Sequence, residues 1–311
     1  HAVVHCTHNN TPIALCSRAT GRYRLCTAEM LVSPGGAHAS ARLERPHAER
    51  PRRREVHEDE AVGVRVGDRD DLVVDDVHAD GALAAAGAKV AILDVNLEGA
   101  RRVAADIGGL AVQCDVSSAA AAEAAVAEAR AAHGAARVLV NCAGIAPPAR
   151  IVGKNGPMPL ENFARIIEIN LIGTFNMIRL AAADMVDLDP LADGERGCVV
   201  STASVAAFEG QIGQSAYAAS KGGVHALTIV CAREFARNGI RFNTIAPGMF
   251  ATPLMESLPD EVQAALAAAV PFPSRLGTAE EYAAMAMTMV ENRMLNGETV
   301  RLDGAIRMQA R

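Results

Sequence analysis

Residues 89–116 read KVAILDVNLEGARRVAADIGGLAVQCDV, and this stretch decides the fold. Lys89–Asp94 is a short apolar run that ends on an acid, which is typical of a buried strand. Leu97–Ile107 has the spacing of an amphipathic helix, and Ala111–Val116 is a second short apolar run. A strand, a helix and a strand in this order predict two parallel strands joined by a crossover helix.

The same alternation of strands and helices continues to the end of the chain. Further helices are predicted at Ser117–His133, Leu160–Met185, Ala216–Asn238, Pro259–Val270 and Ala279–Glu291, and further strands at Ala136–Gly144, Gly197–Ser204, Arg241–Gly248 and Thr299–Asp303. This order predicts an α/β protein with a Rossmann-like doubly wound parallel sheet. Such sheets bind their ligands at the carboxyl ends of the strands, where polar and glycine residues cluster in this sequence.

Composition excludes several classes of protein. The net charge of −6 over 311 residues argues against a general nucleic-acid-binding surface. No run of 18 apolar residues lacks a charge, so the sequence predicts no membrane span. The 7 cysteines form no disulfide framework, which favours a reduced, cytoplasmic setting.

The first eighty residues differ in texture from the rest. Seven of the 9 histidines lie before residue 81, whereas all the lysines lie after it. Cys6, Cys16 and Cys26 are evenly spaced and lack the paired spacing of a zinc site, so no metal is predicted. We expect residues 1–80 to be an atypical, poorly ordered segment, foreign to the fold or read out of frame, and residues 81–311 to form the dinucleotide-binding domain.

Tyr217-Ala-Ala-Ser-Lys221 places a phenol and an ammonium group one helical turn apart, on the same helix face. A neighbouring cation favours the phenolate, so we expect the pKa of Tyr217 to fall and the side chain to act as a general acid or base. Taken alone, the pair also fits a solvated pair on a helix surface.

Two further polar residues stand where chemistry is expected. Ser204 ends a predicted strand, where its hydroxyl could bind a substrate oxygen or simply cap a turn. Asn170 lies inside an apolar helix, where a buried amide needs partners, so it predicts either a structural hydrogen bond or a water-holding role.

With Asn141-Cys-Ala-Gly144 and Pro247-Gly248, these motifs resemble the short-chain dehydrogenase/reductase family over about residues 81–311. The resemblance implies that Tyr217 is the catalytic acid or base and that Lys221 lowers its pKa and holds the nicotinamide ribose. It also implies that Ser204 orients the carbonyl or alcohol, and that Asn170 anchors a water that relays protons.

Residues 203–211 (ASVAAFEGQ), 271–277 (PFPSRLG) and 301–308 (RLDGAIRM) are similar to one subgroup, the type-2 3-hydroxyacyl-CoA dehydrogenases or type-10 17β-hydroxysteroid dehydrogenases. This similarity implies NAD-dependent interconversion of a secondary alcohol and a ketone, on a 3-hydroxyacyl-CoA, by a homotetramer. The implied cofactor contacts are Asp94, Asp115, Val116, Asn141, Cys142, Gly144, Tyr217, Lys221, Pro247, Phe250 and Thr252. The implied substrate contacts are Ser204, Gln211, Phe250 and Leu254. A carboxylate at Asp94, which ends a strand, would accept from ribose hydroxyls and repel a 2′-phosphate, so it favours NAD.

The first strand and the glycine-rich turn of a dinucleotide site are missing or replaced. The family pattern Thr-Gly-x₃-Gly-x-Gly is absent, and the nearest substitute is a possible strand at Val62–Gly67. Aspartates follow it at positions 68, 70, 71, 75 and 76. At ~5 Å and a dielectric of about 20, each carboxylate would oppose a phosphate charge by about 3 kcal/mol. A non-catalytic pseudoenzyme or oligomer subunit that has lost nucleotide binding therefore stays open beside the dehydrogenase.

Overall fold

A computed structural model of the chain describes residues 5–8, 11–17, 23–27, 62–67, 77–252, 255 and 259–310. The chain divides into two compact units, His1–Arg52 and Arg53–Arg311. In the first unit, β1 (His5–His8), β2 (Thr11–Ser17) and β3 (Tyr23–Thr27) form an antiparallel sheet. The sequence predicted no regular element here. The strands form nonetheless, because antiparallel pairing rests on backbone hydrogen bonds and does not require alternating side chains.

The second unit contains a seven-stranded sheet and eight helices within the described residues. Its strands are β4 (Val62–Gly67), β5 (Lys89–Asp94), β6 (Leu110–Gln113), β7 (Val138–Asn141), the short hairpin strands β8 (Val152–Gly153) and β9 (Gly156–Pro157), and β10 (Gly197–Thr202), β11 (Ile240–Pro247) and β12 (Thr299–Leu302). Its helices are α1 (Val77–Ala85), α2 (Leu97–Ile107), α3 (Ala119–His133), α4 (Leu160–Ile167), α5 (Thr174–Met185), α6 (Ser215–Glu234), α7 (Asp260–Ala268) and α8 (Ala279–Glu291).

The main sheet is parallel throughout, in the order β12-β11-β10-β7-β4-β5-β6. From β4 the chain moves outward to β5 and β6 and then returns to β7, on the other side of β4. The two halves therefore diverge between β4 and β7, and such a switch point is where doubly wound sheets bind ligands. The predicted fold is confirmed.

The strand at Val62–Gly67 settles part of the question about the missing first strand. It pairs with both β5 and β7 and so takes an interior place in the sheet, where the two halves diverge. The first strand is therefore replaced, not lost. The aspartates that follow it lie outside the described residues, and the foreign origin of residues 1–80 stays a prediction.

The core forms two layers because strand side chains alternate between the two faces of the sheet. In β5, Ala91 and Leu93 join a cluster with Met177 on one face. Val90 and Ile92 join a second cluster with Tyr282 and the other buried side chains of the opposite face. Helices cover both faces, so the strands are apolar on both sides, as the sequence indicated.

The predicted helix over 160–185 is interrupted. A π-helical segment, Glu168–Gly173, separates α4 from α5, and the Thr174 hydroxyl donates to the carbonyl of Asn170 at 2.7 Å. Such wide turns occur often at functional sites. By length and composition the run Leu160–Met185 is the one stretch of the described helices that could cross a membrane, but 56% of its most apolar window is buried inside the domain.

Candidate active site

Two elements, β10 and α6, bring three of the predicted catalytic residues to the carboxyl edge of the sheet. Ser204 follows β10, Tyr217 lies in the first turn of α6, and Lys221 lies one turn further along that helix. All three line a cleft with a volume of about 210 Å³. The structure therefore brings together the residues that the spacing predicted.

The Lys221 ammonium group is held by the backbone of the sheet. It is 3% exposed, and its Nζ donates to the carbonyl oxygen of Thr202, the last residue of β10, at 2.8 Å. The same Nζ lies 5.8 Å from the centroid of the Tyr217 ring. Lys221 is therefore a buried cation in a fixed position beside the phenol.

The electrostatics of Tyr217 differ from the sequence expectation. Burial raises the pKa of the Tyr217 phenol above its ordinary value of 10.0, and a hydrogen bond with the Ser204 hydroxyl opposes this rise. The expected fall in the pKa is therefore wrong for the protein by itself. The physical reason is that desolvation of the phenolate by burial is the largest effect on this pKa.

Ser204 has the capping role among its two predicted alternatives, and its contact with a substrate oxygen stays a prediction. Its Oγ accepts from the backbone N–H of Ala206 at 3.1 Å, which caps a short 3₁₀ turn at Val205–Ala207. It also shares a hydrogen bond with the Tyr217 phenol. The turn thus fixes a hydroxyl beside the phenol, where both can reach one substrate oxygen.

Asn170 has the structural role among its two predicted alternatives. Its side chain is completely buried, and its Oδ1 accepts from the N–H of Ile145 at 2.8 Å. Its Nδ2 donates to the Ile145 carbonyl at 2.8 Å and to the Ser220 hydroxyl at 3.0 Å. The amide thereby ties the π-helical segment to the loop after β7 and to α6. The relay water implied by the family stays a prediction.

A buried hydroxyl pair beneath the cleft was not found from the sequence. Thr202 Oγ1 lies 2.6 Å from the hydroxyl of Tyr282, on α8, and donates to the carbonyl of Asn141 at 2.7 Å. Because the Thr202 proton is used on Asn141, the Tyr282 hydroxyl is the donor of the shorter bond. The residue whose carbonyl holds Lys221 is thus fixed from two sides. No local signal could have shown this, since the partners lie 61 and 80 positions away.

Comparison with known proteins agrees with this geometry. A family model described as Enoyl-(Acyl carrier protein) reductase matches residues 79–306. The chain is 48% identical over 227 residues to the human 3-hydroxyacyl-CoA dehydrogenase type-2, which covers 72% of this chain and 87% of that protein. It is 46% identical over 230 residues to the Drosophila melanogaster protein of the same name, with coverages of 73% and 90%.

The fold comparison gives the same answer. The crystal structure of 3-hydroxyacyl-CoA dehydrogenase type-2 from Mycobacterium avium is 39% identical, with a TM-score of 0.74, and the match covers 82% of this chain and 100% of that one. The chain belongs to the short-chain dehydrogenase/reductase family. The resemblance in the motifs is confirmed, and a family member of this kind uses a nicotinamide cofactor.

Three residues at the carboxyl edge of the sheet in this short-chain dehydrogenase/reductase fit a dinucleotide site. Asp94 ends β5 and is 2% exposed, and its Oδ1 accepts from the N–H of Asn96 at 2.8 Å. At Gly144 a Cβ would lie 3.3 Å from both Asn170 Oδ1 and Lys221 Nζ, so bare backbone keeps space open there. Among the described residues no hydrogen bond reaches the buried Oδ1 of Asn141, beside the switch point.

Three other residues predicted to contact the cofactor differ in their exposure and in their hydrogen-bond partners. Asp115 is exposed, and its Oδ1 accepts from both the N–H and the hydroxyl of Ser117. Val116 is buried, and its carbonyl accepts from Asn176 at 2.8 Å. Cys142 is completely buried, with its Sγ 3.7 Å from the Tyr282 hydroxyl, so only its backbone is left for a cofactor contact.

The remaining predicted residues lie on the far wall of the cleft. Pro247, Phe250, Thr252 and Gln211 all line it. Phe250 is 5% exposed because its ring packs on Gly277, where a Cβ would fall 2.7 Å from the ring. The Gln211 amide donates to a carbonyl of the C-terminal residues at 3.0 Å. Leu254 lies outside the described residues.

Proposed function

We propose that this chain interconverts a 3-hydroxyacyl-CoA and the corresponding 3-ketoacyl-CoA with NAD. The observation that carries the proposal is one cleft lined by Ser204, Tyr217 and Lys221, with the Ser204 hydroxyl bonded to the phenol. The cleft belongs to a chain 48% identical to a protein named 3-hydroxyacyl-CoA dehydrogenase type-2.

The chain's own residues move the proton. In oxidation, the phenolate form of Tyr217 takes the proton of the substrate hydroxyl, while Ser204 donates to the same oxygen and orients it. A nicotinamide cofactor held by Lys221 and Asp94 would supply the acceptor for the hydride that leaves the carbon bearing this oxygen. In the reverse direction the neutral phenol of Tyr217 returns the proton to the forming alcohol. Lys221 stabilises the phenolate that remains, because its ammonium group is fixed beside the ring.

Asp94 supports NAD over NADP in this proposal. The carboxylate lies at the carboxyl end of β5, where ribose hydroxyls are bound in dinucleotide folds, and a 2′-phosphate there would meet like charge. We therefore expect kcat/KM to be much higher with NAD than with NADP. Asp94→Ser should reduce this preference by at least about tenfold, since it removes the repulsion. An unchanged preference would contradict the role of Asp94.

The central test follows NADH formation from 3-hydroxybutyryl-CoA. Tyr217→Phe and Lys221→Met should each lower kcat by about a hundredfold or more, because each removes part of the proton transfer. Lys89→Met is the matched control. Lys89 is exposed at the start of β5, on the opposite edge of the sheet, and its loss should leave kcat unchanged. Normal turnover by Tyr217→Phe would refute the assignment.

The rival function, a non-catalytic subunit without nucleotide binding, rests on the aspartates after Val62–Gly67. A fluorescence titration with NADH separates the two. Binding at micromolar concentrations excludes the rival, whereas no binding up to millimolar NADH excludes the dehydrogenase.

A homotetramer in the cytoplasm is part of the same proposal. Ile172, Phe175 and Val230 are exposed by 49%, 49% and 55%, and exposed apolar side chains of this size suit association. The cysteines at 114, 142, 198 and 231 are free and buried, in keeping with a reducing compartment. Sedimentation equilibrium tests the first point, and a monomer would refute it. Cell fractionation with an antibody to this chain tests the second.

A further inference from the structure

The C-terminal residues fold back over the loop that follows β10. Two backbone-directed bonds hold the ends together: the Gln211 amide donates to the carbonyl of Gln309, and the N–H of Ile212 donates to the carbonyl of Ala310, each at 3.0 Å. Between these contacts and β12, Met308 lines the same cleft as Tyr217. The tail Ile306–Ala310 is therefore part of the wall of the candidate active site.

Glu209 is the anchor of this tail. Its Oε1 accepts from Nη1 of Arg301 at 2.8 Å, and its Oε2 accepts from Nη2 at 3.2 Å and from the N–H of Met308 at 3.0 Å. Arg307 adds an ion pair at 3.4 Å. Bidentate arginine–carboxylate pairs are the stronger class of hydrogen bond, so one carboxylate fixes both the strand before the tail and the tail itself.

The chemistry of this wall points to an apolar part of the substrate. Met308 faces a cleft that Met255, Phe250 and Val205 also line. Arg301 and Arg307, on either side of the turn before Met308, do not line the cleft and pair with Glu209 and Asp303. Methionine side chains are flexible and polarizable, and they adapt to apolar groups of different shape.

We propose that Met308, held in place by Glu209, is a specificity-determining residue that contacts the acyl chain of the substrate. The assignment rests on the proposed function for its substrate class. A short acyl group stays near Ser204 and Tyr217, whereas a longer one extends along the wall that Met308 forms. Glu209 acts only through the tail and is a positioning residue.

The test measures binding separately from turnover. Butyryl-CoA and decanoyl-CoA are titrated calorimetrically into the full chain with NADH present, for the unmodified protein, Met308→Ala and Glu209→Gln. We expect the Kd of decanoyl-CoA to rise about fivefold in both variants, which is about 1 kcal/mol, and that of butyryl-CoA to stay within about twofold. In turnover, KM for 3-hydroxydecanoyl-CoA should rise more than KM for 3-hydroxybutyryl-CoA in both variants.

Glu123→Gln is the matched control, because it removes an arginine-paired carboxylate between α3 and α5, away from the cleft. It should change neither Kd. Equal changes for both chain lengths, or none, would overturn the proposal. Met308→Ala keeps it testable if Glu209→Gln does not fold. If the unmodified chain binds both ligands but turns over no 3-hydroxyacyl-CoA, the proposed function fails, while a selective loss of decanoyl-CoA binding still supports the tail assignment.

Discussion

Replacing Thr202 by valine would test the buried hydroxyl pair beneath the cleft. Valine keeps the shape of threonine but removes the donor to the Asn141 carbonyl, 2.7 Å away, and the acceptor of the Tyr282 hydroxyl, 2.6 Å away. Thr202 is 6% exposed and Tyr282 is 1% exposed, so water cannot replace the lost bonds. Loss of a buried partner costs about 1–3 kcal/mol. We expect Thr202→Val to lower the free energy of unfolding by about 2 kcal/mol.

A double-mutant cycle separates the pair from its surroundings. Tyr282→Phe should cost about 1 kcal/mol, since Thr202 then keeps its bond to Asn141. The double variant should cost about 1 kcal/mol less than the sum, because both changes break the same bond. The assay is urea unfolding followed by circular dichroism, at one protein concentration. Additivity within about 0.5 kcal/mol would refute the pairing.

A second threonine pair provides the control for function. Thr228 on α6 and Thr244 on β11 share a buried hydroxyl bond of 2.6 Å, away from the lysine. Thr228→Val should lower stability in the same range as Thr202→Val. Both variants keep the Thr202 carbonyl that accepts from Lys221, but only Thr202→Val removes side-chain bonds of that residue, so only this variant should also shift the pH profile of kcat.

Three further predictions follow from the site. Asn170→Asp should destabilise the protein by about 3 kcal/mol or more in thermal unfolding, because a carboxylate would face the Ile145 carbonyl without a donor to offer; native-like stability would contradict the bonding described. The hydrogen bonds from Arg301 hold the pKa of Glu209 at about 2, below the ordinary 4.5. The unmodified chain should therefore have a higher free energy of unfolding than Glu209→Gln above pH 4.5, and this difference should disappear as the pH falls towards 2. A difference that does not change with pH would exclude the ion pair with Arg301 as its source. Because burial raises the pKa of Tyr217 above 10.0, the protein without cofactor should contain no Tyr217 phenolate at a pH below 10.0. Ultraviolet difference spectra against Tyr217→Phe measure this, and a phenolate signal near neutral pH would disprove the effect of burial.

The helices that were predicted best are those whose ends are set by local sequence. Ala279–Glu291 agrees to the residue, because Thr278 and Glu281 form a capping box that fixes its start. The sheet was predictable for a related reason: apolar runs such as Lys89–Asp94 need cover on both faces. Several strands end earlier than predicted, since strand ends depend on pairing with neighbours that a single run does not reveal.

The site shows the same division between local and distant causes. The spacing of Tyr217 and Lys221 placed both on one helix face, and this was sufficient to find them. The sign of the change in the phenol pKa was not predictable, because it depends on burial in the folded protein and on Ser204, which lies outside the helix of Tyr217. The break in the helix at Asn170 has the same origin, since its partners lie 25 and 50 positions away.

The Lys221 ammonium group is held by a main-chain carbonyl, that of Thr202, and this limits which substitutions can break the bond. A main-chain acceptor is present whatever side chain stands at position 202, so substitution at this position does not remove it, whereas substitution of Lys221 removes the donor. The place of the acceptor depends on the pairing of β10 with β11, where Thr202 is in register with Ile245. Chemical synthesis offers a probe: an ester in place of the amide between residues 202 and 203 would weaken this oxygen as an acceptor and leave every side chain in place. It would also remove the Ala203 N–H, which donates to the carbonyl of Ile245 at 2.8 Å.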